Sequence, residues 1–312
     1  MLSIVTLIAG LVLLVFAGDY LVRGAVALAE KLSIDPLIIG LTVVAFGTSA
    51  PELFVSLQAA FDGVSGIAIG NIVGSNIANV LLVLGAPALL SSIRCREDGL
   101  GVSLVMMMVL TLVLMVMMWF EPLSRLDGTI LMVLIGGYLV WQIRVARRHQ
   151  MADVPDYHDE VDGLPQGTWK TLLFIGGGLV GLPVGAWLTV EGASHIARML
   201  GATETAIGLT IVAVGTSLPE LVTSVMAAWR KSGAVMIGNV VGSNIFNIGL
   251  ILGGTSVILP LDVDQRIISI DMWVMFACGL LLLALAHWNL PLRKLGGTAM
   301  LVAFAIYIVS IF

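Results

Sequence analysis

Two glutamates stand where an otherwise membrane-compatible sequence has little room for charge. Glu52 closes the run GTSAPE inside GLTVVAFGTSAPEL, residues 40–53, and Glu220 closes GTSLPE inside GLTIVAVGTSLPEL, residues 208–221. The two runs match at a constant offset of 168, and the same offset lays GNIVGSNIAN (70–79) on GNVVGSNIFN (238–247). An ionisable group in an apolar span is costly and marks a functional site. The residues around it specify the chemistry. Pro51 and Pro219 cannot donate a backbone N–H and clash with the preceding turn, so each helix kinks or breaks there. Carbonyls around Ala45–Thr48 and Ala213–Thr216 then lack partners, which membrane depth tolerates only next to protein or a cavity. A cation would satisfy them. Thr48, Ser49, Thr216 and Ser217 add hydroxyls. Ser75 and Asn79 lie four apart on one helical face, as do Ser243 and Asn247. The set is oxygen only, which suits hard cations; calcium takes about 6–8 oxygens. No His or Cys accompanies it, which disfavours soft metals. Two carboxylates balance one divalent ion or two monovalent ones.

These residues need elements to hold them. Hydrophobic residues make up 59% of the 312 and charged residues 11%, with a mean hydropathy of +1.06. Soluble domains carry roughly 25% charge, so the chain belongs to the membrane class. A crossing helix needs about 20 apolar residues. Spans are expected near 2–22, 37–60, 66–90, 101–119 and 127–146, then 169–190, 204–228, 234–258, 268–288 and 295–312. The fold class is therefore an all-α polytopic membrane protein of ten helices in two inverted five-helix repeats. Its expected divisions are 1–146, a polar cytoplasmic linker 147–168, and 169–312, with the repeated motifs at 40–85 and 208–253. Five spans per half is odd, so the halves enter the bilayer from opposite sides. With the linker cytoplasmic, only Arg125, Arg198 and Arg266 of the 15 Lys and Arg fall outside. Positive charge is retained inside, and both termini come out extracellular. The apolar N-terminus lacks the basic start of a signal peptide and reads as the first span.

The paired blocks, GTSAPE with GNIVGSNIAN and GTSLPE with GNVVGSNIFN, resemble the alpha repeats of the calcium/cation antiporter superfamily, the sodium/calcium exchangers and their prokaryotic relatives. The resemblance covers both halves. It implies a core of spans two, three, seven and eight with spans one and six sliding across it, and no enzymatic activity. It also implies Ca2+ on Glu52, Glu220, Thr48 and Thr216. Na+ would use those glutamates with Ser49, Ser217, Ser75, Ser243 and the carbonyls of Ala45 and Ala213. Some members carry aspartate where this chain has Asn247, so this centre has two carboxylates and no third. The leading expectation is a bacterial or archaeal inner-membrane antiporter exchanging Ca2+ for Na+, needing no cofactor and complete as a monomer in the lipid bilayer. The alternative is the same fold coupled to H+ or K+, since a carboxyl group away from water can carry a proton in place of a metal ion.

Other classes fit less well. Inverted halves differ from the identical rings of a channel. An intramembrane enzyme would need a base beside its serine. No nucleic-acid or zinc signature is present, and Cys95 and Cys278 suggest no disulfide framework. Asn76 and Asn244 are open between packing, capping and ion binding, while Gly70, Gly74, Gly238 and Gly242 read as close-packing positions. Asp19 and Arg23 form an i,i+4 pair, and Glu191 reads as solvated. His195 and His287 read as isolated surface residues. Met106, Met107, Met108, Met115, Met117 and Met118 of span four read as adaptable packing. The linker acids Asp153, Asp156, Asp159, Glu160 and Asp162, with His149 and His158, read as a solvated face, as do Asp262 and Asp264.

Overall fold

The computed structural model describes residues 2–120, 122–148, 163–201, 211 and 213–311. It is almost entirely helical. The helices are α1 (Leu2–Leu32), α2 (Pro36–Thr48), α3 (Ala50–Phe61), α4 (Ser65–Leu90), α5 (Leu100–Trp119), α6 (Arg125–Arg148) and α7 (Thr168–Met199). The second half continues with α8 (Ala213–Thr216), α9 (Leu218–Trp229), α10 (Gly233–Ile258), α11 (Ile267–His287) and α12 (Lys294–Ser310). Among the described residues seven of these are long and apolar enough to cross a membrane, or eight if the pair α2–α3, bent by 42°, is one broken span. The start of the expected seventh span and most of the linker, with its acids and histidines, lie outside the described residues.

Expected and observed limits agree closely except at the first and sixth spans. There α1 and α7 run on to Leu32 and Met199. Hydropathy stops where polar residues begin, but the alanines and charged residues that follow are good helix formers and extend the helix.

The repeat is visible in the element limits: α3, shifted by 168, gives α9, and Ser65–Ala78 gives Gly233–Phe246. Its inversion is visible in the packing. A two-residue strand β1 (Ile93–Arg94), just before α5, pairs antiparallel with β2 (Pro291–Leu292), just after α11. At the opposite ends of the same two helices, Leu123 and Leu261 exchange backbone hydrogen bonds of 2.9 and 3.0 Å. Equivalent helices of the two halves thus run antiparallel. The same holds for α1 and α7: Gly10 meets Thr189, Gly178 meets Leu21, and Gly24 meets Ile175.

Gly238 and Gly242 do admit close approach. A Cβ on Gly238 would stand 2.8 Å from the Leu37 carbonyl, and one on Gly242 would stand 2.7 Å from that of Leu41. Gly70 and Gly74 have no such neighbour among the described residues. The segment that repeat symmetry would put there, 205–209, lies outside them.

Candidate functional site

Both GTSxPE runs break their helix at the serine. Ser49 and Ser217 leave helical geometry, with ψ of 7° and 3°, and new helices α3 and α9 start directly after them. Pro51 and Pro219 occupy the first turn, where a missing N–H costs nothing. Glu52 and Glu220 follow in that same turn, so each carboxylate sits at the positive end of a helix. The spacing Ser-x-x-Glu is that of a capping box, yet neither serine caps its own helix. Ser49 instead donates its hydroxyl to Glu220 Oε1 across the two halves, at 3.0 Å. A local capping rule has given way to a contact between the repeats.

Around that contact several of the predicted oxygens meet. Glu52, Glu220, Thr48, Thr216, Ser49, Ser217, Ser75, Ser243, Asn79 and Asn247 are all buried. Ser75 donates to Glu52 Oε1 at 3.5 Å, and the Thr48 hydroxyl lies 3.4 Å from that of Ser243. Asn79 and Asn247 each open a turn of π-helix, Asn79–Val83 and Asn247–Leu252, a distortion frequent at functional sites. Of the carboxylate and amide oxygens of the predicted set, four are buried with no hydrogen-bond partner among the described residues: Glu52 Oε2, Glu220 Oε2, Asn79 Oδ1 and Asn247 Oδ1. The Ser217 hydroxyl shares that condition.

The backbone differs from expectation. The Ala45 carbonyl, expected to be stranded by the break, accepts the Ser49 N–H at 3.1 Å and the Thr48 hydroxyl at 3.3 Å. The break falls one residue later than that reading requires, so the last turn of α2 still closes on Ala45. In the second half the Ser217 N–H turns to the Val214 carbonyl, three residues back, at 3.2 Å.

Several contributors are absent from the predicted set. Asn71 donates to the Glu52 carbonyl and to Ser56, at 3.2 and 3.0 Å; Asn239 does the same for Glu220 and Ser224, at 3.4 and 3.3 Å. These amides tie each glutamate's backbone to the neighbouring core helix. Asn239 also accepts the Thr48 hydroxyl at 3.0 Å. All four residues recur at the 168 offset inside the repeated blocks, a signal that could have found them. Arg230 is another. Asp19 pairs with Arg23 as expected, at 3.2 Å, but its other oxygen holds Arg230 at 2.6 Å, joining α1 to the end of α9. Arg23 also donates to the Gly163 carbonyl. His195 is not isolated: it lies 3.1 Å from Glu191, one helical turn earlier on the exposed face of α7. Outside the spans, Asp35 caps α2 by accepting the Leu37 N–H at 2.8 Å. Burial raises the carboxyl of Asp35, and likewise that of Glu97, where the charges of Asp35 and Asp98 add to the effect.

A centre of carboxylates, amides and hydroxyls, donated by two antiparallel halves, can hold a dehydrated cation; no nucleophile with an adjacent base is assembled there among the described residues. A family model described as sodium/calcium exchanger protein matches residues 2–144 and 170–312. Inner membrane protein YrbG of Escherichia coli K12 is 35% identical over 300 residues, covering 93% of this chain and 90% of its own. Sodium/calcium exchanger MaX1 of Methanosarcina acetivorans is 33% identical, with 98% and 97% covered. A solved structure of the sodium-calcium exchanger NCX_Mj superposes with a TM-score of 0.86 at 32% identity, covering 100% of this chain and 99% of that one. The repeated GTSxPE and GNxVGSN blocks, the antiparallel halves and these likenesses agree: the chain is a multi-pass membrane protein that belongs to the sodium/calcium exchanger family.

Proposed function

We propose that this chain is a secondary antiporter that exchanges Ca2+ for Na+ by alternating access, with Glu52 and Glu220 sharing the ion near the middle of the bilayer. The observation that carries this reading is the set of four unpartnered buried oxygens, one carboxylate and one amide oxygen from each half. Leaving acceptors stranded in a low-dielectric interior is costly. A cation between them offsets that cost. One Ca2+ or two Na+ would neutralise the two carboxylates.

Exchange follows from shared ligands. Ser49 and Ser75, which now donate to the glutamates, can rotate their hydroxyls to present lone pairs to Na+. Thr48 and Thr216 complete the Ca2+ set, with Ser217, Ser243 and the carbonyls of Ala45 and Ala213 serving Na+. Because both ions need the same glutamates, one must leave before the other settles. The α1–α7 pair moves across the core to expose the site to one side at a time. Asn247 cannot titrate, so the coupling stoichiometry rests on two carboxylates. The units 1–146 and 169–312 act as the two repeats, joined by 147–168. The excess of Lys and Arg on the linker side supports a cytoplasmic linker with both termini outside. Ca2+ then leaves the cell as Na+ enters. All the proposed ligands come from one chain, so a monomer suffices.

The test is Ca2+ flux into proteoliposomes under imposed Na+, H+ or K+ gradients, one at a time. Flux should follow the Na+ gradient, and Glu52→Gln or Glu220→Gln should abolish it while the protein still folds. Wild-type flux in either variant would defeat the site assignment, and flux driven by H+ or K+ alone would replace Na+ as the coupling ion.

A further inference from the structure

Asn79 and Asn247 can serve a cation only if they turn oxygen, and not NH2, toward it. The two ends of a carboxamide have nearly the same shape, so packing alone cannot choose between them. Something must set the polarity.

Each of these amides is held by an asparagine of the other half. Asn247 donates its Nδ2–H to Asn76 Oδ1 at 3.0 Å, and Asn79 donates to Asn244 Oδ1 at 3.1 Å. Asn76 and Asn244 spend their own Nδ2–H groups on methionine sulfurs. Asn76 donates to Met275 Sδ at 3.7 Å and also to the Asn244 carbonyl at 3.4 Å; Asn244 donates to Met107 Sδ at 3.6 Å. Met107 in α5 and Met275 in α11 are themselves 168 apart, so the chain Met–Asn–Asn occurs twice, related by the repeat. All six side chains are buried.

A thioether accepts hydrogen bonds and never donates them. It therefore selects the NH2 end of Asn76 or Asn244. That leaves Oδ1 to face the next asparagine, which must answer with its NH2. The Oδ1 of Asn79 or Asn247 is then forced to the remaining side, where it has no partner among the described residues. Reversing any one member sets NH2 against NH2, or oxygen against oxygen or sulfur. Asn79 lies one turn beyond Ser75, which donates to Glu52, and Asn247 one turn beyond Ser243, which meets Thr48. Each of the two amides is thus placed one helical turn from a serine of the glutamate site.

We infer that Met107 and Met275, acting through Asn244 and Asn76, are positioning residues that fix Asn79 and Asn247 with oxygen toward the cation. Part of the affinity for Ca2+ is set by two sulfur atoms on helices that carry none of the proposed ligands. The inference rests on the proposed function, because it takes the freed oxygens as cation ligands.

Equilibrium Ca2+ binding to the purified full-length chain in detergent tests it. Met107→Leu and Met275→Leu keep volume and apolarity and remove only the acceptor. Met107→Leu should weaken Ca2+ binding by about five-fold, as expected for a lost orienting hydrogen bond, and Met275→Leu by less, because the Asn244 carbonyl still takes the Asn76 NH2. The thermal midpoint and the turnover at saturating Ca2+ should stay near wild type. The effect should be specific to one chain of contacts: Met275→Leu adds nothing in an Asn247→Ala background but keeps its effect with Asn79→Ala, and Met107→Leu does the reverse. Wild-type affinity in the Met107→Leu/Met275→Leu double variant would overturn the inference. So would equal losses in both alanine backgrounds, which would mark general packing damage. Failure of the wild-type chain to bind Ca2+ would remove the proposed function and this inference with it; wild-type binding with no methionine effect removes the inference alone.

Discussion

Two antiparallel helix pairs, each made of equivalent helices from the two halves, meet in this molecule and are held by opposite means. The α4 and α10 pair is buried over 72% and 94% of its span windows, against 28% and 33% for α1 and α7. In the first pair asparagines of one half bond to asparagines of the other: Asn79 to Asn244, Asn247 to Asn76. In the second, backbone lies against backbone at Gly10, Gly178, Gly185 and Gly192. Directional bonds have one satisfied geometry, whereas small apolar contacts cost little to displace along the helix axis. The difference fits the proposed mechanism, with the asparagine-bonded pair as scaffold and the glycine-packed pair as the part that slides. The α1–α7 pair also touches the site: α7 places Leu179 over Gly47 and Val190 over Gly215, the glycines preceding each Thr-Ser.

The largest effect is expected in the α4–α10 core. Asn239→Leu takes the amide partner from the buried hydroxyls of Ser224 and Thr48 and the second donor from the Glu220 carbonyl. It should cost about 3 kcal/mol, with Ca2+ binding lost as well. A melting midpoint equal to wild type would show that these bonds do not hold the core. The next effect belongs to the α1–α7 pair. A side chain on Gly10 would meet the Thr189 hydroxyl at 2.5 Å and its backbone nitrogen at 2.6 Å. Gly10→Val should cost about 1–3 kcal/mol through overpacking. Turnover should fall steeply in flux assays while equilibrium Ca2+ affinity is kept; parallel loss of both would merge the roles assigned to the two pairs. The smallest effect is expected at the ion pairs that link them. Asp19→Asn removes the carboxylate holding both Arg23 and Arg230. Both arginines still reach solvent, so the loss should be about 1 kcal/mol. It should also alter turnover without changing affinity, since Asp19 joins α1 to the end of α9; an unchanged rate would make the link purely structural.

Much of this was legible from residue types alone. The 168-residue repeat named both glutamates, their hydroxyl neighbours and the helix break, because an acid beside a proline in an apolar run is too costly to persist without a role. The inversion followed from an odd number of spans and the distribution of Lys and Arg. What the sequence concealed were partners. Nothing in local pattern joins Asp19 to Arg230, 211 residues away, or gives Met107 a role beyond filling space. Hydropathy also mislaid the ends of α1 and α7, since it measures solvent preference and not helix propensity. The Ser-x-x-Glu spacing would have misled in a different way, because its serine serves the opposite half and leaves its own helix uncapped.

The short bridges at the two ends of α5 and α11 carry one more consequence. With Ile93 paired to Leu292 at one end and Leu123 to Leu261 at the other, these helices are stapled like the two stiles of a ladder. They cannot splay at one surface of the bilayer without tearing backbone hydrogen bonds at that surface. A motion that hinged the halves apart at α5 and α11 would have to break these bonds. If the α1–α7 pair slides as proposed, α5 and α11 stay stapled while it does, and thinning or thickening the surrounding lipid should change exchange turnover before it lowers the melting midpoint.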